Sequence, residues 1–149
     1  MSENRPLVLR LVDEGRLVAQ SADARMLADM IDQAAHDIAA PDANKGTFGA
    51  WADAMLYEAG LRSVRAVVQA NGYRIVVRDR AHMTAIDAAD ALTGGIHYTV
   101  FTRLHRMRRR RNEFMYEATA EPTDADLQQA RRDVSLLLTL AREAVSGIG

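Results

Sequence analysis

The stretch Thr123–Val145, TDADLQQARRDVSLLLTLAREAV, decides the fold class. Leu127, Ala130, Val134, Leu137, Leu138, Ala141 and Val145 recur at three- and four-residue spacings, which puts them on one face of an α-helix. Thr123 with Asp126 three residues later has the form of a capping box, so the helix is expected to start at Thr123. Four further helical segments precede it. Ala24, Leu27, Ala28, Ile31, Ala35 and Ile38 share a face, with Ser21 as the expected N-cap, Asp23 in the first turn and Pro41 as the expected end. After the loop PDANKGTFG (41–49), a helix from about Ala50 carries Ala52, Leu56, Ala59, Ser63, Ala66, Val67 and Ala70 on one side and stops at Asn71-Gly72. A shorter helix covers about 81–92 and stops at Gly94-Gly95, and another runs from about Ile96 to Glu117.

Two segments resist periodicity. LVLRLV (7–12) suits either a helical turn or an arm lying on the body. YRIVVRDR (73–80) contains the β-branched run Ile75-Val76-Val77, but a lone short strand has no evident partner, so a structured connection is expected. The predicted architecture is all-α: an up-down bundle of four main helices plus a short one, spanning 21–146, with residues 1–20 as an N-terminal arm or short helix.

Composition limits the function classes. The chain has 149 residues, 48% hydrophobic and 26% charged, which suits one folded domain and excludes bulk disorder. It has no cysteine, which excludes disulfides, a thiol nucleophile, a thiolate zinc site and an iron–sulfur cluster. No apolar run approaches the ~18 residues of a membrane span, and MSENRPLVLR lacks the apolar stretch of a signal peptide, so a cytoplasmic protein without a membrane partner is expected. His36, His82, His97 and His105 have no metal-ligand spacing, and phosphate-binding or dinucleotide glycine motifs are absent; no metal and no cofactor is expected. His97 reads as a core histidine, Trp51 and Tyr57 as core or interface anchors, and Asp87 and Asp90 as solvated charge or as partners for Arg108 or Arg111.

The net charge is −1, yet of 19 basic residues only Lys45 is not arginine, and six arginines fall between Arg103 and Arg111. On a helical wheel Val100, Phe101, Leu104, Met107, Phe114 and Met115 form an apolar face. Arg111 falls in the middle of that face and Arg108 beside it, while Arg103, Arg106, Arg109 and Arg110 are expected mostly toward solvent. A guanidinium on an apolar stripe is either salt-bridged to another helix or held in a cleft to grip an anion, for which phosphate suits it best. A second, polar flank carries His105, Arg109, Asn112 and Tyr116, which reads as a solvated face or as an edge for phosphates and bases.

The run Arg111-Asn112-Glu113-Phe114-Met115-Tyr116 resembles the signature of the HEPN superfamily of small helical proteins: an Arg, usually followed by Asn, Asp or His, with a His three to five residues further on. YEAGLRSVRAVVQANGYR (57–74) resembles the HEPN helix that ends in a Gly turn, and RDRAHMTAIDAADAL (78–92) resembles the connection and short helix of an actinobacterial-type HEPN group, often with His at the place of His82. The likeness spans roughly 21–145. It implies a metal-independent endoribonuclease working as a homodimer, with Arg111 on the scissile phosphate, Asn112 orienting it, and the position of the promoting His taken by Tyr116. A phenol near pKa ~10 is a poor general base at neutral pH. In a regular helix Arg111 and Tyr116 are also ~140° apart, so they meet only if the helix frays or two chains each supply one. His105 lies ~16 Å from Tyr116 along the axis, too far to replace it within one chain.

The expected site is therefore Arg111, Asn112 and Tyr116 for chemistry, with His105, Arg106, Arg108, Arg109 and Arg110 for nucleic-acid binding. The expected function is a toxin-like RNA-binding protein of a toxin–antitoxin or phage-defence system, with an antitoxin partner such as a nucleotidyltransferase. The alternative is a non-catalytic module that binds RNA, a nucleotide or a protein.

Overall fold

The computed structural model describes residues 5–43, 49–116 and 122–148, with the side chains of 41–43 and 112–116 excepted. The described chain is mostly helical. Its elements are α1 (Arg5–Asp13), β1 (Leu17–Ala19), α2 (Ala24–Ala43), α3 (Gly49–Ala70), β2 (Tyr73–Ile75), α4 (Ala81–Leu92), α5 (Tyr98–Tyr116) and α6 (Asp124–Ser146). No described helix is long and apolar enough to cross a membrane.

Helix α6 follows its sequence pattern. The Thr123 hydroxyl accepts from Asp126 N at 3.1 Å and the Asp126 carboxylate accepts from Thr123 N at 3.0 Å, so two otherwise orphaned donors are satisfied at once. Ala130, Val134, Leu137, Leu138 and Ala141 are buried. The core gathers around α3, which packs against α2, α4, α5 and α6. A helix covered on so many sides must be apolar most of the way round, and Leu56, Tyr57, Leu61, Val64, Val67 and Val68 are all buried. Gly60 lets α5 and α6 approach: a Cβ there would stand 2.9 Å from Leu104 Cδ1 and 3.3 Å from Val134 Cγ2.

Three expectations need correction. Residues 73–75 are not a lone strand. They pair antiparallel with β1, Leu17 opposite Ile75 and Ala19 opposite Tyr73, and Gln20 N donates to Gly72 O at 2.8 Å beyond the pair. Sequence patterning missed the partner because three residues are too few to show a period of two. The N-cap of α2 is Asp23 rather than Ser21, since its carboxylate accepts from Arg25 N and Met26 N, both at 3.1 Å. Pro41 does not end α2, which continues to Ala43. In addition, α5 begins at Tyr98, two residues after the expected start, with the half-buried His97 just ahead of it.

The ribbon positions the site. It carries the chain from α3 to the connection 76–80, where Arg78 Nη1 donates to Glu14 O at 3.1 Å and Arg16 Nη1 donates to Asp79 O at 3.4 Å. Arg80 then enters α4 in the left-handed region at φ 65°, a conformation costing a non-glycine residue about 1–2 kcal/mol. The close approach at Gly60 generates a test. Gly60→Val should lower the unfolding free energy by about 1–3 kcal/mol in urea titrations. Gly60→Ala should be near neutral, because a gain in helix propensity of about 1 kcal/mol offsets a small rotation of Leu104. Equal stability for Gly60→Val and wild type would contradict the packing described.

Candidate functional site

The arginines of α5 divide by the partner each finds. Arg103 grips Asp133 of α6 with two bonds, Nε at 2.6 Å and Nη2 at 2.9 Å, and Gln129 Nε2 adds a third donor to the same carboxylate at 3.0 Å. Arg110 grips Asp53 of α3 likewise, at 3.2 and 2.9 Å. Both aspartates are buried, so each pair is a helix-to-helix staple whose carboxylate could not stay in the core alone. This corrects the expectation that Arg103 and Arg110 face solvent, and it makes Arg110 a structural residue. Arg106 and Arg109 are exposed, as expected. His105 Nε2 meets Asp87 at 2.8 Å, so Asp87 pairs with a histidine rather than with Arg108 or Arg111.

Arg111 does sit against the body of the protein. Its Nη2 lies 2.8 Å from Glu58 Oε1, and its guanidinium carbon lies 5.7 Å from the centre of the Tyr57 ring, within cation–π range. Asn112 and Tyr116 are within α5, but their side chains lie outside the described residues. The helix backbone continues to Tyr116, so positions 111 and 116 stay ~140° apart around one axis.

Beneath Arg111 the structure assembles a group that sequence reasoning did not connect. Tyr57 is fully buried, and its hydroxyl lies 3.0 Å from His82 Nδ1 at the start of α4; the ring centres are 6.0 Å apart. Burial pushes the Tyr57 phenol up to about 12, with Arg108 opposing and Glu58 adding to the shift. Burial also lowers His82, helped by Arg65, with Glu58 opposing and Arg111 and Arg108 acting in the same direction as Arg65. His82 is therefore a neutral imidazole at neutral pH.

His82 lines a cleft of about 450 Å³ together with Arg78, Arg80, Ala81, Met83 and Arg108. Among the described residues three guanidiniums and no carboxylate line it. Arg108 Nε is buried and has no hydrogen-bond partner among the described residues, unlike the Nε of Arg103 and of Arg110. The smaller cavity of about 110 Å³ between α5 and α6, by contrast, includes Asp126 and Asp133 beside Arg103, Arg106 and Arg110, so its charge is compensated. Among the described residues no three His, Asp or Glu side chains gather as a metal cage. The signal for the cleft in the sequence was Arg78-Asp79-Arg80-Ala81-His82, a basic run at a helix start. The signal for Tyr57 was weaker, a tyrosine on the apolar side of a helix. The chain matches no protein-family model, no curated protein and no solved structure.

Two outcomes follow from this geometry. Arg110→Ala strands the Asp53 carboxylate in the core and should cost stability toward the lower end of the roughly 3–5 kcal/mol typical of a broken buried pair, since Arg110 itself is partly exposed. Arg109→Ala should stay within about 0.5 kcal/mol. Equal effects in urea titrations would refute the staple. The second outcome concerns acid. The unfolded chain protonates His82 near its ordinary value of ~6.5 while the folded chain resists, so this residue's share of stability is whole above ~6.5 and is lost as the pH falls below it. Stability measured across that range should fall less steeply in His82→Asn than in wild type; identical slopes would contradict the desolvated imidazole.

Proposed function

We infer that this chain is a toxin-like RNA-binding protein of HEPN type, its four main helices forming an up-down bundle, acting as a homodimer in the cytoplasm with an antitoxin partner such as a nucleotidyltransferase. The observation that carries RNA binding is the cleft of Arg78, Arg80, Arg108 and His82, which concentrates cationic donors with no carboxylate among the described lining residues, in a chain of net charge −1. Phosphate matches such a site in charge and geometry, and RNA presents phosphates in series. The HEPN reading is supported by the Arg111-Asn112 motif on α5, by the helix order and by the glycine turn after α3, whose Gly72 has φ 89°.

One observation favours the non-catalytic form of this reading over a metal-independent endoribonuclease. Arg111, which the motif assigns to the scissile phosphate, is already paired with Glu58. Arg108, three residues earlier and next to the same Tyr57–His82 pair, has the unsatisfied donor instead. The phosphate grip of this chain therefore centres on Arg108, with Arg111 shaping the Tyr57 side of the site. Cleavage would require a proton acceptor, and a phenol at Tyr116 supplies a poor one at neutral pH.

Fluorescence anisotropy with mixed single-stranded RNA in EDTA should show binding that weakens with salt. Arg108→Ala should lower affinity about tenfold or more, the scale of losing a hydrogen bond to a charged group. Arg25→Ala should leave affinity unchanged, because it lies on α2, which touches neither α4 nor α5. Little or no 2′,3′-cyclic phosphate should form. An absence of RNA affinity at low salt would overturn the reading, and robust cleavage would restore the endoribonuclease form.

A further inference from the structure

The Tyr57–His82 contact carries more than position. Tyr57 is fully buried, and His82 Nδ1 is the one hydrogen-bond partner of its hydroxyl among the described residues. A buried hydroxyl left without an acceptor costs about 1–3 kcal/mol, so the phenol donates its proton to Nδ1. A neutral imidazole holds one N–H, and a nitrogen that accepts a hydrogen bond does not carry it. The hydrogen therefore resides on Nε2, which has no partner among the described residues and lies on the side of the ring away from Tyr57. His82 is half-buried and lines the cleft that Arg78, Arg80 and Arg108 enclose.

We propose that this cleft is a phosphate-binding site in which the Tyr57 hydroxyl locks His82 as an Nε2–H donor to a phosphate oxygen, alongside Arg108, whose Nε has no partner among the described residues. The proposal deepens the RNA-binding reading and rests on it for the source of the phosphate. It assigns His82 a binding role and denies it a general base's role, because a base would need a free lone pair on the nitrogen that here holds the hydrogen. The charged surroundings agree with a neutral ring. Arg65 and Arg111 join Arg78, Arg80 and Arg108 around it, with Glu58 the opposing charge, and desolvation further disfavours the imidazolium. The backbone supports the same site. Helix α4 has no side-chain cap; Ala81 N donates to Arg78 O at 3.1 Å and Thr84 N to Arg80 O at 2.9 Å, so of the first turn only the N–H groups of His82 and Met83 have no acceptor among the described residues, and Arg80 in its left-handed conformation starts that turn.

The chemistry fits a backbone phosphate of RNA and the phosphate of a free mononucleotide alike. Long-range proton–nitrogen correlation spectra of the nitrogen-labelled full chain at neutral pH should show His82 in the Nε2–H form, and Tyr57→Phe should convert it to a mixture of tautomers. Short single-stranded RNA, adenosine monophosphate and inorganic phosphate are then titrated separately. His82→Leu should weaken binding of the phosphate-bearing probe roughly tenfold or more, while His82→Gln, whose amide can still donate, should recover most of it. Circular dichroism of both variants keeps a folding defect distinct from a binding defect. A response of His82 to RNA and not to the mononucleotide identifies the backbone phosphates as ligand. A response to the mononucleotide or inorganic phosphate alone keeps the site and overturns RNA as its ligand. RNA binding that leaves the His82 signals and the His82→Leu affinity unchanged overturns the proposal and leaves the RNA reading standing. An Nδ1–H tautomer in the free protein, or no response of His82 to any of the three probes, overturns it as well.

Discussion

Guanidinium desolvation governs the structure around α5. A charge taken from water must be paired or must keep a route to water, and packing six arginines on one helix forces that choice repeatedly. Asp133 and Asp53 answer for Arg103 and Arg110, and in doing so they fix the register of α5 against α6 and α3. Exposure answers for Arg106 and Arg109. Glu58 and the face of Tyr57 answer for Arg111. Arg108 alone among the six has a buried Nε without an acceptor among the described residues, and it opens onto the cleft that also holds His82. The site is thus placed by exclusion: among the described residues, the carboxylates that neutralise the other arginines are absent from its walls.

The helices were legible because their spacing is regular and long. The stripe of α6 and its capping box, the glycine stops after α3 and α4, and the apolar face Val100, Phe101, Leu104 and Met107 all follow from local rules, and the structure buries them accordingly. What escaped was non-local or short. The β1–β2 ribbon depends on two three-residue segments more than fifty positions apart, and neither is long enough to declare itself. The choice between Ser21 and Asp23 as cap turns on where the backbone first becomes helical, and cap residues of both types are equally good formers.

The expectation that Arg103 and Arg110 face solvent fails for a related reason. A helical wheel ranks positions by the mean apolar direction of one helix, but α5 lies in a groove between α3, α4 and α6. Its flanks are therefore half-covered, and Arg103 and Arg110 meet aspartates that no wheel of α5 contains. Arg111 lies toward the body, as its place on the apolar face of α5 implies, and Glu58 supplies its ion pair. The Tyr57–His82 pair joins residues 25 apart on different helices, which only the packing of α4 against α3 brings together. The Arg111–Tyr116 motif draws attention to position 116, whereas the charge geometry draws it to position 108, about two turns back along α5, and to positions 57 and 82 on the neighbouring helices α3 and α4.

The Nε–Hε signals of the arginine side chains report the cleft most directly, followed by NMR while a short single-stranded RNA is added to the full chain in EDTA. The cleft as RNA site predicts that Arg108 responds most strongly, because its Nε acquires the acceptor it lacks, while Arg103 and Arg110 hold their aspartates and stay in place. Changes confined to the exposed Arg106 and Arg109, with Arg108 silent, would place the RNA on the outer face of α5 and contradict the cleft.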